Sequence, residues 1–524
     1  MASFENREKT LEQWRKMEAH AEQLVPLIGS LYRERNVVST FFGERLVNQS
    51  VPGIIAVHKK FNPTMEDCRE ALLDTRTLLN VLKSMPDVRA LRFDCGKTGE
   101  LLADRLRDNA VERKDKEYYV MKQLASLGVG QGDGSGSEIM HKPRDVVLYG
   151  FGRIGRLVAR LLAEKTGDGC KLLLRAIVVR KAKVEDIFKR ASLLQRDSTH
   201  GVFMGSVEVD AEKRVLIVNG SVVHLIYSPS PDQVDYTKYG INNAIVIDNT
   251  GIWRDDKGLG MHLKSPGVSN VILTAPGKGT ILNYVAGVND HELSEETADA
   301  IISAASCTTN AICPPLKVID DAFGIVSGHI ESVHSYTNDQ NLIDNFHKKA
   351  RRGRAACLNM VLTETGAGTA VVKCIPSLAG KLTANAIRVP TPNVSLAILM
   401  LELEKEVTKD EINNYLRDEA ETGKLQHQLE VSVNPEGVSS DFVGNRHAAI
   451  VDPYSTIVDG NRANLYVWYD NEYGYSCQVM RLLQKIANID HPKFPSDETF
   501  ILARKASMRT HSAGSFAEAV ESHI

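Results

Sequence analysis

Apolar residues recur at helical spacing through the first quarter of the chain, at Leu72, Leu73, Leu78, Leu79 and Leu82 and again at Leu101, Leu102, Leu106, Val111 and Tyr118, between charged stretches. A stripe repeating every three to four residues buries one helix face and leaves the other in water, so residues 1–127 are expected to form an all-α N-terminal module. After Leu127 the pattern stops. Half of residues 128–137 are glycine, with Val129, Gln131, Asp133 and two serines between; such a segment has little to bury, and a flexible linker is expected over 128–143.

Short continuous apolar runs then replace the stripe. One covers 145–149, a helical stretch follows at 157–162, and a second run covers 172–179, with further runs at 215–218, 222–226, 244–247 and 271–274. The order strand, turn, helix, strand predicts an α/β domain over 144–306 with a parallel open sheet. From Cys307 the pattern changes to one helix, at 311–322, and longer β-rich stretches at 328–337, 386–388, 394–403 and 464–469. These predict an α+β domain over 307–471 with a mainly antiparallel sheet. Val479, Leu482, Leu483 and Ile486 mark a helix within 472–490 that returns to the first sheet domain, and 491–524 reads as a weakly ordered tail.

Composition narrows the function classes. The chain has 524 residues, room for about three domains, and its 63 basic and 66 acidic residues give a net charge of −3. A nucleic-acid partner recruited by bulk charge is not expected. No run approaches the length of a membrane span, and Met1–Thr10 carries Glu5, Arg7, Glu8 and Lys9 with no apolar core, so neither a membrane partner nor a leader is expected. Eight cysteines without paired C-x-x-C spacing suggest no metal site and a reducing, cytoplasmic location.

Candidate chemistry begins at Gly150-Phe151-Gly152-Arg153-Ile154-Gly155, between a strand and a helix. Glycines there permit a tight turn and a close approach of backbone to pyrophosphate, whose charge meets the helix N-terminus. The context predicts a Rossmann-type NAD(P)-binding domain. An NAD-selective fold ends its second strand with an acid for the ribose hydroxyls; here the strand ends Val179-Arg180-Lys181. Two cations at that place favour a 2′-phosphate, so NADP, or both NADP and NAD, is expected. Otherwise they only solvate a strand end.

Cys307 opens a helical stretch after an apolar run, a position where a helix N-terminus and a nearby imidazole lower a thiol pKa. His334 lies downstream at the end of a predicted strand. On pattern alone either residue is equally an ordinary core or surface side chain.

These segments, together with 197–201 (DSTHG), 305–310 (ASCTTN), 334–340 (HSYTNDQ), 388–394 (RVPTPNV) and 468–475 (WYDNEYGY), resemble phosphorylating glyceraldehyde-3-phosphate dehydrogenases over about residues 144–490. The resemblance implies that Cys307 is the nucleophile and His334 its base. Oxidation of glyceraldehyde 3-phosphate would then pass through a thioester that inorganic phosphate cleaves to 1,3-bisphosphoglycerate. It implies one anion subsite at Ser306, Thr308, Thr365 and Gly366, and another at Thr337, Asp339 and Arg388, with Arg352 close by. Cofactor contacts are implied for Gly150, Gly152, Arg153, Ile154, Gly155, Arg180, Thr250 and Asn471, and the assembly is implied to be a homotetramer.

Four departures from the family pattern stand out. Tyr149 replaces an asparagine and Pro229 an arginine on the adenosine side, Val179 replaces the acid, and Asn345-Phe346 replaces a Leu-Pro pair. The last two point to NADP. Erythrose-4-phosphate dehydrogenase is the nearest enzymatic alternative, opposed by Thr337, the Thr365–Ala367 stretch and Pro392; a binding or scaffold protein that retains the fold is the non-enzymatic one.

Overall fold

The computed structural model of the chain describes residues 2–86, 88, 91–103, 113–126, 143–165, 171–180, 185–291, 293, 300–489 and 493–495. The expected linker, but for residue 143, lies outside the described residues, and of the expected tail only 493–495 are described.

Strand Arg144–Tyr149 carries two apolar faces: Val146 and Leu148 point into one core, Val147 and Tyr149 into another. A strand buried on both sides belongs in the middle of a parallel sheet. It pairs in parallel with Ala244–Asp248 on one flank and Leu172–Val179 on the other. The full eight-stranded order runs Ile301–Ser303, Val268–Leu273, Ala244–Asp248, Arg144–Tyr149, Leu172–Val179, Ser221–Tyr227, Val215–Val218, Val207–Asp210, the last two antiparallel. The chain order therefore reverses between Arg144–Tyr149 and Ala244–Asp248, and the crevice at the carboxyl ends of these strands is where such sheets bind ligands. Helices Arg153–Ala163 and Asp186–Gln195 cover one face together with Tyr473–Ile486, which contributes Val479, Leu482, Leu483 and Ile486 to that core.

The second sheet runs Val361–Thr363, Leu382–Val389, Ile325–Ser335, Ser395–Leu403, Arg462–Tyr469, Ala449–Val451, Leu429–Val431, mainly antiparallel. Helix Cys307–Phe323 packs Ile312, Leu316 and Ile319 into its core against Leu399, Leu401, Leu465 and Val467. Its first residue, Cys307, touches both this core and that of the parallel sheet, so the helix N-terminus emerges at the seam between them.

The N-terminal module is largely helical, with Ala2–Arg35, Val51–Phe61, Met65–Ser84, Cys95–Leu101 and Arg113–Ser126. It also holds what helical periodicity did not predict, a small sheet in the order Glu44–Arg45, Val38–Phe41, Arg92–Asp94, Lys493–Phe494. Strands of two to four residues are too short to show alternation, and the fourth comes from the other end of the chain. Phe494, in the expected tail, is buried and stacks on Phe93 at 5.7 Å. The module meets the rest of the chain through polar contacts: Lys60 Nζ to Glu430 at 2.9 Å, Lys97 Nζ to Gln426 Oε1 at 3.1 Å, and the Tyr32 hydroxyl to the Glu164 carbonyl at 3.3 Å.

Candidate active site

The glycine turn sits at the crevice. Gly150 has φ +96°, and a Cβ on Gly155 would stand 2.5 Å from the Gly150 carbonyl oxygen, so both glycines are required by the turn itself. Gly152 differs. A Cβ there would meet no protein atom within 4 Å, and as N-cap of helix Arg153–Ala163 it offers no side-chain acceptor to the first backbone N–H groups. Open space before unsatisfied N–H donors at a helix start suits the pyrophosphate of a dinucleotide. Ile154, on the first turn, packs against the parallel-sheet core.

Thr250 lies across the crevice, where its N–H and hydroxyl both donate to Asp248 Oδ1 at 2.7 Å and its methyl faces Gly150. Arg180 is exposed at the end of strand Leu172–Val179, and Lys181 lies outside the described residues. The Tyr149 hydroxyl is buried without a hydrogen-bond partner, and burial together with Asp248 pushes its pKa up to about 12.

Cys307 is placed by its cap. Ser306 is the N-cap, and its Oγ accepts from the Thr309 N–H at 3.0 Å. Ala305 just before it takes φ +53°, a left-handed turn that a residue with a Cβ adopts at some cost. The Cys307 Sγ stands 3.6 Å from His334 Nε2. His334 Nδ1 is 2.7 Å from the Ser335 carbonyl oxygen; in the tautomer that donates to this oxygen the Nε2 lone pair faces the thiol. Arg388 Nη1 donates to the same carbonyl at 2.9 Å and lies 2.9 Å from His334 Nδ1. Burial, and next the Arg388 charge, push the His334 imidazole down to about 3. Burial also pushes the Cys307 thiol above its ordinary value, opposed by Arg388 and by hydrogen bonding to Thr308. The depressed thiol expected from sequence is therefore not the resting state here: a thiol faces a neutral imidazole, because desolvation disfavours both charged forms.

Around this pair the anion-binding candidates fall into two groups. Arg388 reaches Thr337 Oγ1 at 3.4 Å, Thr337 donates to Asp339, and Asp339 pairs with Arg352, whose guanidinium also donates to Thr363 Oγ1 at 2.9 Å. Burial raises the Asp339 carboxyl, but the Thr337 hydroxyl and the Arg352 and Arg388 charges outweigh it and hold it below its ordinary value. On the other side the Ser306 and Thr309 hydroxyls are 2.7 Å apart, and Thr308 shares a 3.1 Å hydrogen bond with the Tyr469 hydroxyl. Gly366 caps helix Ala367–Cys374, and Thr365 Oγ1 accepts from the Ala367 N–H at 3.2 Å. Asn471 is buried, its Oδ1 accepting from the Ser395 hydroxyl at 3.0 Å.

Sequence reasoning assigned Arg153 to the cofactor and missed what holds it. Its guanidinium makes two 3.0 Å hydrogen bonds to Asp197 and further short ones to Glu472. His200 lies beside them, 3.2 Å from Asp470 Oδ2. Asp197 also accepts from the Thr199 and His200 N–H groups, and although burial opposes it, these donors and Arg153 hold its carboxyl well below its ordinary value. The cluster ties the start of the cofactor-turn helix to the loop preceding Tyr473–Ile486. The DSTHG and WYDNEYGY segments hold its carboxylates, Asp197 and Glu472, but nothing local to either points to Arg153 as their shared partner.

Two family models match the chain: the NAD binding domain of glyceraldehyde 3-phosphate dehydrogenase over residues 144–256, and the C-terminal domain of the same family over residues 306–471. A glyceraldehyde-3-phosphate dehydrogenase-like protein of Pseudomonas aeruginosa is 52% identical over 474 residues, covering 90% of this chain and 100% of that protein. That match is longer than residues 144–524 together, so it takes in part of the N-terminal module. Glyceraldehyde-3-phosphate dehydrogenase of Priestia megaterium is 42% identical over 341 residues, 65% of this chain and 97% of its own length. The chloroplastic enzyme GAPA1 of Arabidopsis thaliana is 38% identical over 376 residues, 71% of this chain and 91% of its own length.

Proposed function

The chain belongs to the glyceraldehyde-3-phosphate dehydrogenase family and is an NAD(P)-dependent oxidoreductase, and we propose that it catalyses the reversible phosphorylating oxidation of glyceraldehyde 3-phosphate. The observation that carries this reading is the Cys307 Sγ, 3.6 Å from His334 Nε2, at a helix start flanked by Arg388.

As the thiol adds to the aldehyde carbon, its proton passes to His334 Nε2 and from there to the carbonyl oxygen, giving the thiohemiacetal hydroxyl. The neutral His334 then takes that hydroxyl proton as hydride leaves the carbon and the thioester forms. A dinucleotide held by its pyrophosphate at the glycine turn would supply, through its nicotinamide, the hydride acceptor. The Cys307 backbone N–H at the helix start donates to the developing oxyanion. Arg388 and Thr337 on one side, and Ser306, Thr308, Thr365 and Gly366 on the other, divide the substrate phosphate and the inorganic phosphate that attacks the thioester. Arg352 and Asp339 hold the first group in place. Asn471 fixes the nicotinamide carboxamide, while Ile154 and Thr250 line the crevice around the adenosine half.

A cofactor carrying a 2′-phosphate is proposed from Arg180 and the absence of an acid at Val179, in an exposed position where the guanidinium reaches solvent-borne phosphate. Association into a homotetramer is supported by large apolar side chains left exposed between residues 342 and 360, among them Leu342, Ile343, Phe346 and Leu358. No described helix is long and apolar enough to cross a membrane; a reduced Cys307 suits a cytoplasmic location. We assign 1–127 to an accessory module, 144–306 to the nucleotide domain and 307–471 to the catalytic domain.

The test is steady-state turnover of glyceraldehyde 3-phosphate and erythrose 4-phosphate, with and without inorganic phosphate, in wild type and Cys307→Ser. Phosphate-dependent turnover of the triose, abolished in the variant, is expected. Faster turnover of erythrose 4-phosphate, or undiminished activity in Cys307→Ser, refutes the assignment. The ratio of kcat/KM for NADP to that for NAD should fall in Arg180→Ala.

A further inference from the structure

Asn471, the residue proposed to fix the nicotinamide carboxamide, is held from two domains. Within the catalytic domain its Oδ1 accepts from the Ser395 hydroxyl at 3.0 Å, and Ser395 Oγ accepts in turn from the Ser335 N–H at 3.1 Å, one residue beyond His334. Its two chain neighbours face the nucleotide domain. Asp470 Oδ2 lies 3.2 Å from His200 Nε2, and Glu472 pairs with Arg153, the first residue of the cofactor-turn helix.

His200 joins these two contacts. Its Nδ1 stands 3.4 Å from Arg153 Nη2, and its side chain is 4% exposed. With the proton on Nε2, the imidazole donates to Asp470 across the domain boundary and accepts from Arg153 within its own domain, both from one rigid ring. The Asn393 amide, also of the catalytic domain, stands 3.2 Å from the same Nε2, and the ring packs against Tyr473 at 5.8 Å. Neither Asp470 nor Arg153 depends on His200 for its own orientation. Asp470 accepts from the Gly444, Glu472 and Tyr473 N–H groups at 2.8, 2.9 and 2.7 Å, and Arg153 keeps two hydrogen bonds to Asp197. What His200 adds is the tie between them.

We propose that His200 is a positioning residue for hydride transfer, an inference that rests on the reaction and the role of Asn471 proposed above. By tying Asp470 to Arg153 it fixes Asn471, and the strand end that carries His334, relative to the glycine turn. A dinucleotide held by its pyrophosphate at the turn and by its carboxamide at Asn471 is aligned by the spacing of the two holds. A misplacement of about 1 Å in such an arrangement costs roughly a hundredfold in rate.

The experiment is isothermal titration of the full chain with NAD and with ADP-ribose, which lacks the nicotinamide, alongside the burst rate of NADH formation from glyceraldehyde 3-phosphate. In His200→Ala the Kd for ADP-ribose should stay within about twofold of wild type, while the ratio of the NAD Kd to the ADP-ribose Kd rises about fivefold and the burst rate falls about tenfold or more. His200→Gln, whose amide N–H reaches Asp470, should restore most of both. Should His200→Ala not fold, His200→Asn, whose shorter amide stops short of Asp470, carries the same comparison. A residue that only supports the fold would weaken both ligands alike. An unchanged ratio of the two Kd values, or no recovery in His200→Gln, therefore overturns the proposal. If wild type oxidises no glyceraldehyde 3-phosphate, the reading of the reaction fails, and the ratio of the two Kd values still decides the role of His200.

Discussion

The base in this site is predicted to be weak until an anion arrives. His334 is buried, with Arg388 Nη1 2.9 Å from its Nδ1, and its pKa is pushed down to about 3. Against an ordinary value near 6.5, that corresponds to roughly 5 kcal/mol disfavouring the imidazolium. Burial is the larger cause and Arg388 the next, so removing the guanidinium recovers only part of that. Replacing Arg388 by methionine, which keeps an unbranched stem and removes the charge, should therefore raise the His334 pKa while leaving it below its ordinary value. Inorganic phosphate seated on Arg388 should act in the same direction, because a dianion reverses the sign of the local charge. Proton NMR of the imidazole signals in a Cys307→Ser background reads this directly, with the His334 resonance assigned by its loss in His334→Gln. In the free protein the resonance should not titrate above pH 5. In Arg388→Met, or with saturating phosphate, the titration should move up. A His334 that titrates near 6.5 in the free protein refutes the reasoning, as does a pKa unchanged by Arg388→Met.

Three further outcomes test other parts of the structure. Gly155→Ala, whose Cβ would sit 2.5 Å from the Gly150 carbonyl, should abolish the soluble folded protein or its cofactor binding, whereas Gly152→Ala should fold with an unaltered Tm and lose cofactor affinity at least tenfold; equal Tm losses for the two would contradict the open space before Gly152. Phe494→Ala should cost about 3 kcal/mol, the lower end for a core phenylalanine since the strand is at an edge, and should appear in limited proteolysis as faster cleavage within the N-terminal module. His58 is fully buried between the Ile54 carbonyl and the Thr75 hydroxyl, and burial pushes its pKa down to about 4. Below pH 6.5 the unfolded module binds a proton that the folded one refuses, so stability falls as pH drops from 6.5 towards 4, by about 2 kcal/mol at pH 5 and about 3 kcal/mol in all. Hydrogen exchange over residues 51–84, corrected for intrinsic rates, should lose protection accordingly between pH 7 and pH 5, and unchanged protection would count against a neutral His58.

Local chemistry explains why so much was legible beforehand. The runs at 172–179 and 215–218 appear as the strands Leu172–Val179 and Val215–Val218 because a strand in the interior of a sheet is apolar over most of its length, Arg175 being the exception. The glycine turn was legible because a positive φ at Gly150 and a 2.5 Å approach at Gly155 exclude every other residue. The sequence also placed Cys307 at a helix start, since the apolar run before it and the helical pattern behind it are both local features.

What it could not contain were the distances. Whether Cys307 and His334 approach to 3.6 Å depends on the seating of a helix against a sheet. The resting thiol and the weak imidazole follow from desolvation, which exists only after packing. The Arg153, Asp197 and Glu472 cluster, and the strand formed by Lys493–Phe494 beside Arg92–Asp94, join segments far apart in the chain. Such pairings carry no periodic signal, because the partner that makes each residue useful lies outside any window in which a pattern can be read. Sequence determined which groups are available and which elements carry them; tertiary packing decided which charges meet and which protons the site will release.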